Sequence, residues 1–332
     1  MRLNKNIKIF LNYILGPLLF AWLSYSVFKQ IKDQPHLEES WLNIKASFTD
    51  TRILYFFLVF ILMFINWSLE ALKWKISVQN VQPVSFFRSL KAIFSGVSFS
   101  ITTPNRVGEY FGRMLYMDEG KRLKIISLTI LGSLSQLLIT VFFGLSGLLI
   151  LEVDIDKLNL PSWLQWVKNI GIVGGAIGFV FLTVFYFRIG WLVKWIEKIP
   201  AIKKYIWLIN ELEKANTTLL MRLLSISMLR YFVFTTQYFL LFRFFGVDIN
   251  WWEGFWAIAI VFFIMAIIPS IELFEVVGKT FVTQEIFAIF TVNTLAIGFV
   301  TTTIWFINLV VPAAIGSLLI LGIKLFKKDE AS

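Results

Sequence analysis

The sequence predicts an all-α polytopic membrane protein. Of its 332 residues, 58% are hydrophobic and the mean hydropathy is +0.75, which is too apolar for a water-soluble chain of this length. Several apolar runs reach the roughly 20 residues that a helix needs to cross the hydrocarbon core of a bilayer. We therefore predict that residues 1–332 form a single transmembrane domain.

Six apolar stretches are predicted to be full crossings, and the first is expected to be a retained span because no small-residue cleavage site follows it. They are residues 7–28, 52–72, 125–151, 168–187, 223–246 and 294–323. Two further apolar stretches, residues 84–117 and 254–292, are interrupted by polar residues. Each of these two is predicted to form a re-entrant helical hairpin or a broken pair of helices.

The charge distribution predicts the orientation of the chain. The formal net charge is +10, and seven of the basic residues lie in the segment 188–222, which also carries tryptophans. Basic loops stay on the cytoplasmic side, so this segment is predicted to lie on the inner leaflet. Both termini are then cytoplasmic, in the cell inner membrane. The same placement favours anionic lipid headgroups as partners and argues against nucleic acid.

The order of the elements predicts two related halves. Residues 52–151 and 223–323 each contain a span, an interrupted stretch and a second span. The predicted orientation puts the two interrupted stretches on opposite sides of the membrane. This pattern is typical of an inverted-topology repeat with a site near the midplane. The alternative is that residues 254–292 form an ordinary pair of spans.

A polar cluster interrupts the first stretch and is the main candidate site, because charged groups at membrane depth are costly and are often functional. Pro104 favours the first turn of a helix, and Thr102 or Thr103 before it can cap that helix. The amides at such a helix start attract phosphate, and Arg106 adds a fixed charge for phosphate binding. The cluster therefore predicts a site for a lipid headgroup.

The cluster continues with Gly108, Glu109 and Arg113. Gly108 permits the close approach of another backbone or of a lipid. Glu109 and Arg113 are four residues apart and share a helix face, so they are predicted to form an ion pair. Glu109 alternatively pairs with a cationic headgroup. A third interpretation is that the pair only locks the hairpin.

A second cluster interrupts the second stretch and resembles the first in outline. Pro269 follows a long apolar run, and Glu272 and Glu275 follow Pro269. Glu275 is four residues before Lys279, as Glu109 is before Arg113. We predict that this cluster contacts the headgroup from the opposite side. The alternative is an interfacial turn whose charges are solvated.

Other charged residues also fall inside predicted spans. Glu70 and Arg243 lie near span ends, so their side chains are expected to extend toward the membrane surface. Arg230 lies deeper in its span and is expected to point into the helix bundle. Trp305 and Asn308 in the last span are expected to serve helix packing, with the lining of a cavity as the alternative.

Enzyme signatures are missing from the sequence. It has no cysteine and a single histidine, His36, in a polar loop, so we predict no metal site and no cofactor. A membrane-embedded transferase would have only four acidic candidates, which are Glu109, Glu272, Glu275 and Glu285. We therefore predict a transporter-like protein and not an enzyme.

The pattern Thr103-Pro104-x-x-x-Gly108-Glu109-x-x-x-Arg113 resembles the flippase-like transmembrane domain of lysylphosphatidylglycerol synthases, which also occurs as a stand-alone protein. The resemblance covers about residues 50–320. Pro269 and Glu275 match the second family motif, but Ser270–Phe274 stand where the family has a glycine-rich segment after the proline. The aminoacyltransferase domain of the synthases is absent, so lysyl transfer is not expected.

The resemblance implies movement of a lipid between leaflets, with an anionic or polyprenyl-linked phospholipid as the substrate. The headgroup would be held by the two broken helices near the midplane while the tails stay in the bilayer. An accessory subunit that presents lipid to a separate lipid-modifying enzyme is the alternative, with the basic interfacial stretch 189–216 as its docking face. Self-association is left open.

Overall fold

The protein is described here by a computed structural model that covers residues 37–101, 103, 106–151, 162–198, 203–268 and 272–321, together with residues 25, 28, 29, 32 and 33. Within these ranges the chain is helical and contains no strand, as the sequence predicts. The α-helices are α1 (Leu37–Ser47), α2 (Ile53–Val78), α3 (Phe86–Ser100), α4 (Gly108–Met114), α5 (Lys124–Ile150), α6 (Ser162–Phe187), α7 (Ile189–Glu197), α8 (Asn210–Glu213), α9 (Thr217–Phe244), α10 (Trp251–Ile267), α11 (Glu272–Phe287), α12 (Thr294–Trp305) and α13 (Val311–Leu321). Two 3₁₀ turns, Glu119–Lys121 and Lys203–Leu208, and a π-helical segment, Phe306–Val310, complete the elements.

Four helical segments of the described chain are long and apolar enough to cross a membrane. They are α2, α5, α9 and the continuous run Thr294–Ile320, which α12, the π-helical segment and α13 form together. Residues 172–187 of α6 and the adjoining α7 meet at an angle of 75° and provide a fifth candidate. These segments correspond to five of the six predicted spans. The sixth, residues 7–28, lies almost entirely outside the described residues.

Each interrupted stretch contains two helices that pack against each other. In the first stretch, α3 begins after Ser85, whose hydroxyl caps the helix by accepting a hydrogen bond from the amide of Arg88 at 3.3 Å. The neighbouring α4 approaches α3 very closely, because a Cβ on Gly112 would lie 2.4 Å from the backbone nitrogen of Gly96. In the second stretch, α10 ends at Ile267 and packs on α11. Both polar clusters therefore fall at breaks between packed helices.

The helices of the two halves pack in a reciprocal arrangement. The first spans of the halves, α2 and α9, lie against each other along their length. The span that follows each interrupted stretch then packs on the first helix of the other stretch, since α5 packs on α10 and α13, the last part of the run Thr294–Ile320, packs on α3. Glycines permit both contacts. A Cβ on Gly147 would lie 2.9 Å from the carbonyl oxygen of Trp256, and a Cβ on Gly316 would overlap the carbonyl oxygen of Phe94. The inverted repeat itself stays a prediction.

The basic segment begins with an amphipathic helix. In α7, Ile189 and Val193 are buried, whereas Trp191 and Trp195 are exposed and lie with their ring centroids 5.2 Å apart. The sharp turn between α6 and α7 changes the chain direction just before the exposed tryptophans. This arrangement is compatible with the predicted location at a membrane surface, which remains a prediction.

Candidate functional site

A cavity of about 680 Å³ lies between the two halves of the described chain. Its charged lining residues are Arg106 from the first polar cluster, Arg230 from α9, and Glu275 and Lys279 from α11. Aromatic side chains, amide side chains and aliphatic side chains form the rest of the wall. The two interrupted stretches therefore both contribute charged side chains to one cavity, whereas Glu109 and Arg113 are not among its lining residues.

Arg230 is the cation that is held most firmly at this cavity. Its Nε donates to Oδ1 of Asn66 at 3.0 Å, and its Nη1 donates to Oε1 of Gln136 at 3.3 Å and to Oε2 of Glu70. The guanidinium also lies 5.9 Å from the ring centroid of Trp67. Among the described residues, Nη2 of Arg230 has no hydrogen-bond partner, and this atom is not shielded from the cavity. One edge of the guanidinium is thus anchored, and the other can accept a ligand.

Glu70 lies at the centre of a buried ion cluster, so the prediction that it extends toward the membrane surface is wrong. Only 6% of the residue is exposed. Its Oε2 lies 2.8 Å from Nζ of Lys73 and also contacts Nη1 of Arg230, and its Oε1 lies 3.2 Å from Nη2 of Arg113. The physical reason is that α2 continues to Val78, which places Glu70 two turns from the helix end and beside α9.

The predicted pair of Glu109 and Arg113 is present and is buried. Nη2 of Arg113 lies 2.7 Å from Oε2 of Glu109, and the other carboxylate oxygen of Glu109 lies 2.5 Å from Nη2 of Arg106. Arg113 also contacts Glu70, so the first polar cluster is connected to α2 and, through Glu70, to α9. The pair therefore belongs to a network that joins the two halves and does more than lock its own hairpin.

The start of the helix in the first cluster differs from the prediction. Helix α4 begins at Gly108 and not at Pro104, which lies outside the described residues. Thr103 does act as a cap, because its hydroxyl oxygen accepts a hydrogen bond from the Gly108 amide at 2.8 Å. Glycine is needed at position 108, since a Cβ there would overlap the carbonyl oxygen of Phe99. The predicted close approach of a second backbone is confirmed.

The first amides of α4 are already used within the protein. The Gly108 amide donates to Thr103, and the amides of Glu109 and Tyr110 donate to the carbonyl oxygens of Arg106 and Val107 at 3.0 and 3.2 Å. These amides are therefore not open to a phosphate group. Arg106, with a left-handed φ of 59°, instead places its side chain in the cavity wall. An anion in this cavity would be bound by guanidinium groups and not by these backbone amides.

The second cluster is only partly described. Pro269 and the side chain of Glu272 lie outside the described part of the chain, whereas Glu275 lies 3.7 Å from Lys279, one turn further along α11. The ammonium group of Lys279 also lies 5.8 Å from the ring centroid of Phe234. Both charged side chains are partly buried and line the cavity. For Glu275, a fully solvated interfacial turn is therefore the wrong interpretation.

Several residues of this site were not predicted as site residues. Glu70, Lys73 and Arg230 complete the ion cluster, and Lys279 adds a cation to the cavity wall. Trp305 and Asn308 line the cavity, which confirms the alternative interpretation given to them. Within the described residues, no three acidic or histidine side chains lie together as a metal site would require.

Comparison with known proteins identifies one family. The family model described as the lysylphosphatidylglycerol synthase TM region matches residues 13–316, which is most of the chain. The match includes α2 to α12 and both polar clusters. No curated protein and no solved structure shows a significant match to the sequence.

Proposed function

The chain belongs to the lysylphosphatidylglycerol synthase TM region family, and from this membership and the charged cavity we propose that it translocates a lipid with an anionic headgroup. The headgroup enters the cavity between the halves, and the hydrocarbon tails remain in the bilayer. The protein acts as a transporter and not as an enzyme. We place it in the inner membrane with both termini in the cytoplasm, following the charge of its loops.

The observation that carries this proposal is the open edge of Arg230. The guanidinium is fixed by Asn66, Gln136 and Glu70 while Nη2 remains accessible in a cavity of about 680 Å³. A partly buried cation with a preorganised and accessible donor is suited to bind an anion. The volume is also within the range of roughly 300–1,000 Å³ that is typical of small-molecule sites.

The apolar rim of the cavity supports a lipid in preference to a soluble anion. Ile267 and Ile268, at the end of α10, both line the cavity and are 65% and 47% exposed. Exposed aliphatic side chains beside a charged interior match the two parts of a lipid, since the headgroup reaches the charges while the tails stay in hydrocarbon. We propose that this rim is the lateral entrance of the cavity.

The reciprocal helix packing supports the proposal that the two halves form an inverted repeat. The last segment of each half, α5 or α13, packs against the interrupted stretch of the other half. In transporters built from inverted repeats, alternating access comes from motion of one repeat against the other around a central site. Here the central site would lie where α2 meets α9, with Glu70 and Arg230 in contact. Six full spans complete this proposed architecture.

Filling the cavity should stop lipid movement. We expect Thr140→Trp to abolish the translocation of fluorescent phosphatidylglycerol by purified protein in proteoliposomes, because Thr140 lines the cavity and indole would occupy the headgroup volume. Translocation is measured by chemical quenching of the label in the outer leaflet. The matched control is Ile130→Trp on the same helix, because Ile130 is 41% exposed and lies outside the cavity wall. Equal rates in the two variants would overturn the proposed function.

One observation favours the accessory-subunit alternative. The exposed Trp191 and Trp195 and the neighbouring cations of α7 form a surface that an enzyme could bind as readily as a membrane. Co-purification of a lipid-modifying enzyme, together with inactivity of the purified chain in proteoliposomes, would support this second function. Translocation by the purified chain alone would count against it.

A further inference from the structure

We propose that Lys73 takes up a proton when an anionic headgroup binds at Arg230 and releases it when the headgroup leaves, so that lipid and proton are carried together. This inference rests on the proposed function and assigns to it a source of energy, which is the proton gradient across the membrane. It also gives a function to a buried amino group that lies close to the cavity without lining it.

Lys73 is a buried titratable group on α2. Only 2% of the residue is exposed, and its Nζ lies 2.8 Å from Oε2 of Glu70 and donates to Oγ of Ser227 at 3.5 Å. The other charged groups that act on it are Arg113 on α4 and Arg230 on α9. Within the described chain, no ion pair reaches Lys73 from α3 or α5. Its protonation is therefore coupled to one carboxylate and two guanidinium groups.

The ion cluster around Lys73 carries a surplus of positive charge. Three cations face two carboxylates, and these residues are Lys73, Arg113, Arg230, Glu70 and Glu109. Arg106, which also contacts Glu109, adds no negative charge to the cluster. Arginine stays protonated in proteins, so Lys73 is the cation of this cluster that can give up a proton. An empty cavity therefore favours the amine form of Lys73, whereas an anion bound at Arg230 compensates the surplus and favours the ammonium form.

Glu70 connects the proton site to the anion site. Its Oε2 contacts both Nζ of Lys73 and Nη1 of Arg230, and Arg230 lines the cavity. A change of charge at one of these cations therefore acts on the other across a single buried oxygen atom. The proton passes from water in the cavity to Oε2 and then to Nζ, and it returns by the same steps. Glu70 keeps Arg113 and Arg230 as partners when Lys73 is an amine, so no buried carboxylate loses its last cation.

Two buried hydroxyl groups allow Lys73 to exist in both forms. Oγ of Ser227 lies 2.8 Å from Oγ of Ser135, and the Ser135 hydroxyl donates to the carbonyl oxygen of Gly132 at 2.7 Å. The Ser227 hydroxyl can therefore donate to Ser135 while it accepts a hydrogen bond from the ammonium group. When Lys73 is an amine, the same hydroxyl can rotate and donate to the nitrogen lone pair, because a hydroxyl is both donor and acceptor.

Uptake of one proton per headgroup makes the transport step electrically neutral. The phosphodiester of phosphatidylglycerol carries a single negative charge, and a proton that is taken up on one side and released on the other cancels it. The membrane potential would drive or oppose an anion that moved alone, whereas it does not act on a neutral pair. We therefore expect a pH gradient, and not an electrical potential, to drive the movement of lipid.

Proton uptake on binding tests the inference without any variant. The purified full chain in maltoside detergent is mixed with short-chain phosphatidylglycerol in weakly buffered solution that contains a pH indicator. We expect about one proton to be taken up per lipid bound. Because linked binding is reciprocal, the affinity for a fluorescent short-chain phosphatidylglycerol should rise about tenfold as the pH falls from alkaline to neutral. The phosphodiester of the probe stays ionised over this range, so the change reports on the protein.

Substitutions at position 73 assign the proton to this residue. Lys73→Arg keeps the charge but cannot release the proton, so its affinity for the probe should be high and independent of pH. Lys73→Met removes the charge with an unbranched side chain, so its affinity should be low and independent of pH. The matched control is Lys75→Arg, two residues further along α2 at a less buried position, which should keep the wild-type pH dependence.

Two results would overturn the inference. Binding of phosphatidylglycerol to wild-type protein without proton uptake would show that the headgroup and the proton are not linked. A pH dependence that persists in Lys73→Met would show that another group takes up the proton. Lys73→Met carries this test even if the larger arginine side chain in Lys73→Arg prevents folding.

Transport in proteoliposomes separates this inference from the proposed function. Under an imposed pH gradient, wild-type protein should move fluorescent phosphatidylglycerol faster toward the alkaline side than toward the acidic side, and a protonophore should abolish the difference. If lipid moves at equal rates in both directions, translocation stands and proton coupling fails. If binding takes up a proton but no lipid moves, the proton site stands and the translocation function fails.

Discussion

Replacing Glu70 by alanine is expected to destabilise the protein by about 3–5 kcal/mol, which is the usual cost of leaving a buried charge without its partner. The substitution removes the carboxylate that three cations share. Of the three, Lys73 is left in the most unfavourable environment. Lys73 is 2% exposed, and its remaining contact is the hydroxyl of Ser227 at 3.5 Å. Denaturant or thermal unfolding of the purified protein in detergent measures the loss.

A second substitution distinguishes the charge effect from the loss of side-chain volume. We expect Lys73→Met in the Glu70→Ala background to recover part of the lost stability, because it removes the stranded ammonium group. The exposed control is Asp248→Asn, which breaks a pair with Arg243 that is expected to contribute at most about 1 kcal/mol. If Glu70→Ala costs no more than Asp248→Asn, the buried cluster does not stabilise the fold as described.

The positions of the helices follow from the sequence because hydropathy is a local property. Each apolar run from residue 52 onward that was predicted to be a span contains a long helix, and the two polar interruptions fall at breaks between helices. A break at 101–107 can be predicted because proline and charged residues disfavour a continuous apolar helix. The partner of each helix cannot be predicted in this way, since the packing of α5 on α10 and of α13 on α3 depends on tertiary structure.

The role of Glu70 could not be predicted from hydropathy alone. Hydropathy predicts the end of the span near this charge, whereas α2 extends eight residues beyond it. A relevant signal was present in the sequence: Glu70 and Lys73 are three residues apart and can pair on one helix face, which lets both remain buried. Arg230 is a cation in the middle of a long apolar helix and requires an acidic partner somewhere in the bundle. The sequence does not show that this partner is Glu70, 160 residues away.

The start of the helix in the first polar cluster was predicted incorrectly. Pro104 and Thr103 indicated a helix whose first amides bind phosphate, but Thr103 and the turn at Arg106 use those amides internally. The conformation of this turn depends on how closely α4 approaches α3, and Gly108 and Gly112 determine that distance. Local sequence therefore identified Arg106 as a candidate but assigned the wrong role to the backbone beside it.

Because α4 approaches α3 so closely, we expect Gly112→Ala to lose lipid translocation. A Cβ at position 112 would lie 2.4–2.5 Å from backbone atoms of Ser95 and Gly96, and a backbone cannot rotate away as a side chain can. Helix α4 must then shift outward and carry Glu109 and Arg113 away from Glu70. We expect a destabilisation of about 1–3 kcal/mol from overpacking and a larger loss in translocation, because the arginines lose their alignment.

The matched control is Gly178→Ala in α6, where an added Cβ meets no heavy atom within 4 Å. Alanine is a better helix former than glycine, so this variant should be as stable as wild type or slightly more stable. Unfolding and leaflet-specific lipid quenching are measured on both variants. If Gly112→Ala retained wild-type translocation, the headgroup site would not depend on the distance between α3 and α4. The ion pairs that α4 places against Glu70 would then serve stability alone, because moving them leaves the transported headgroup unaffected.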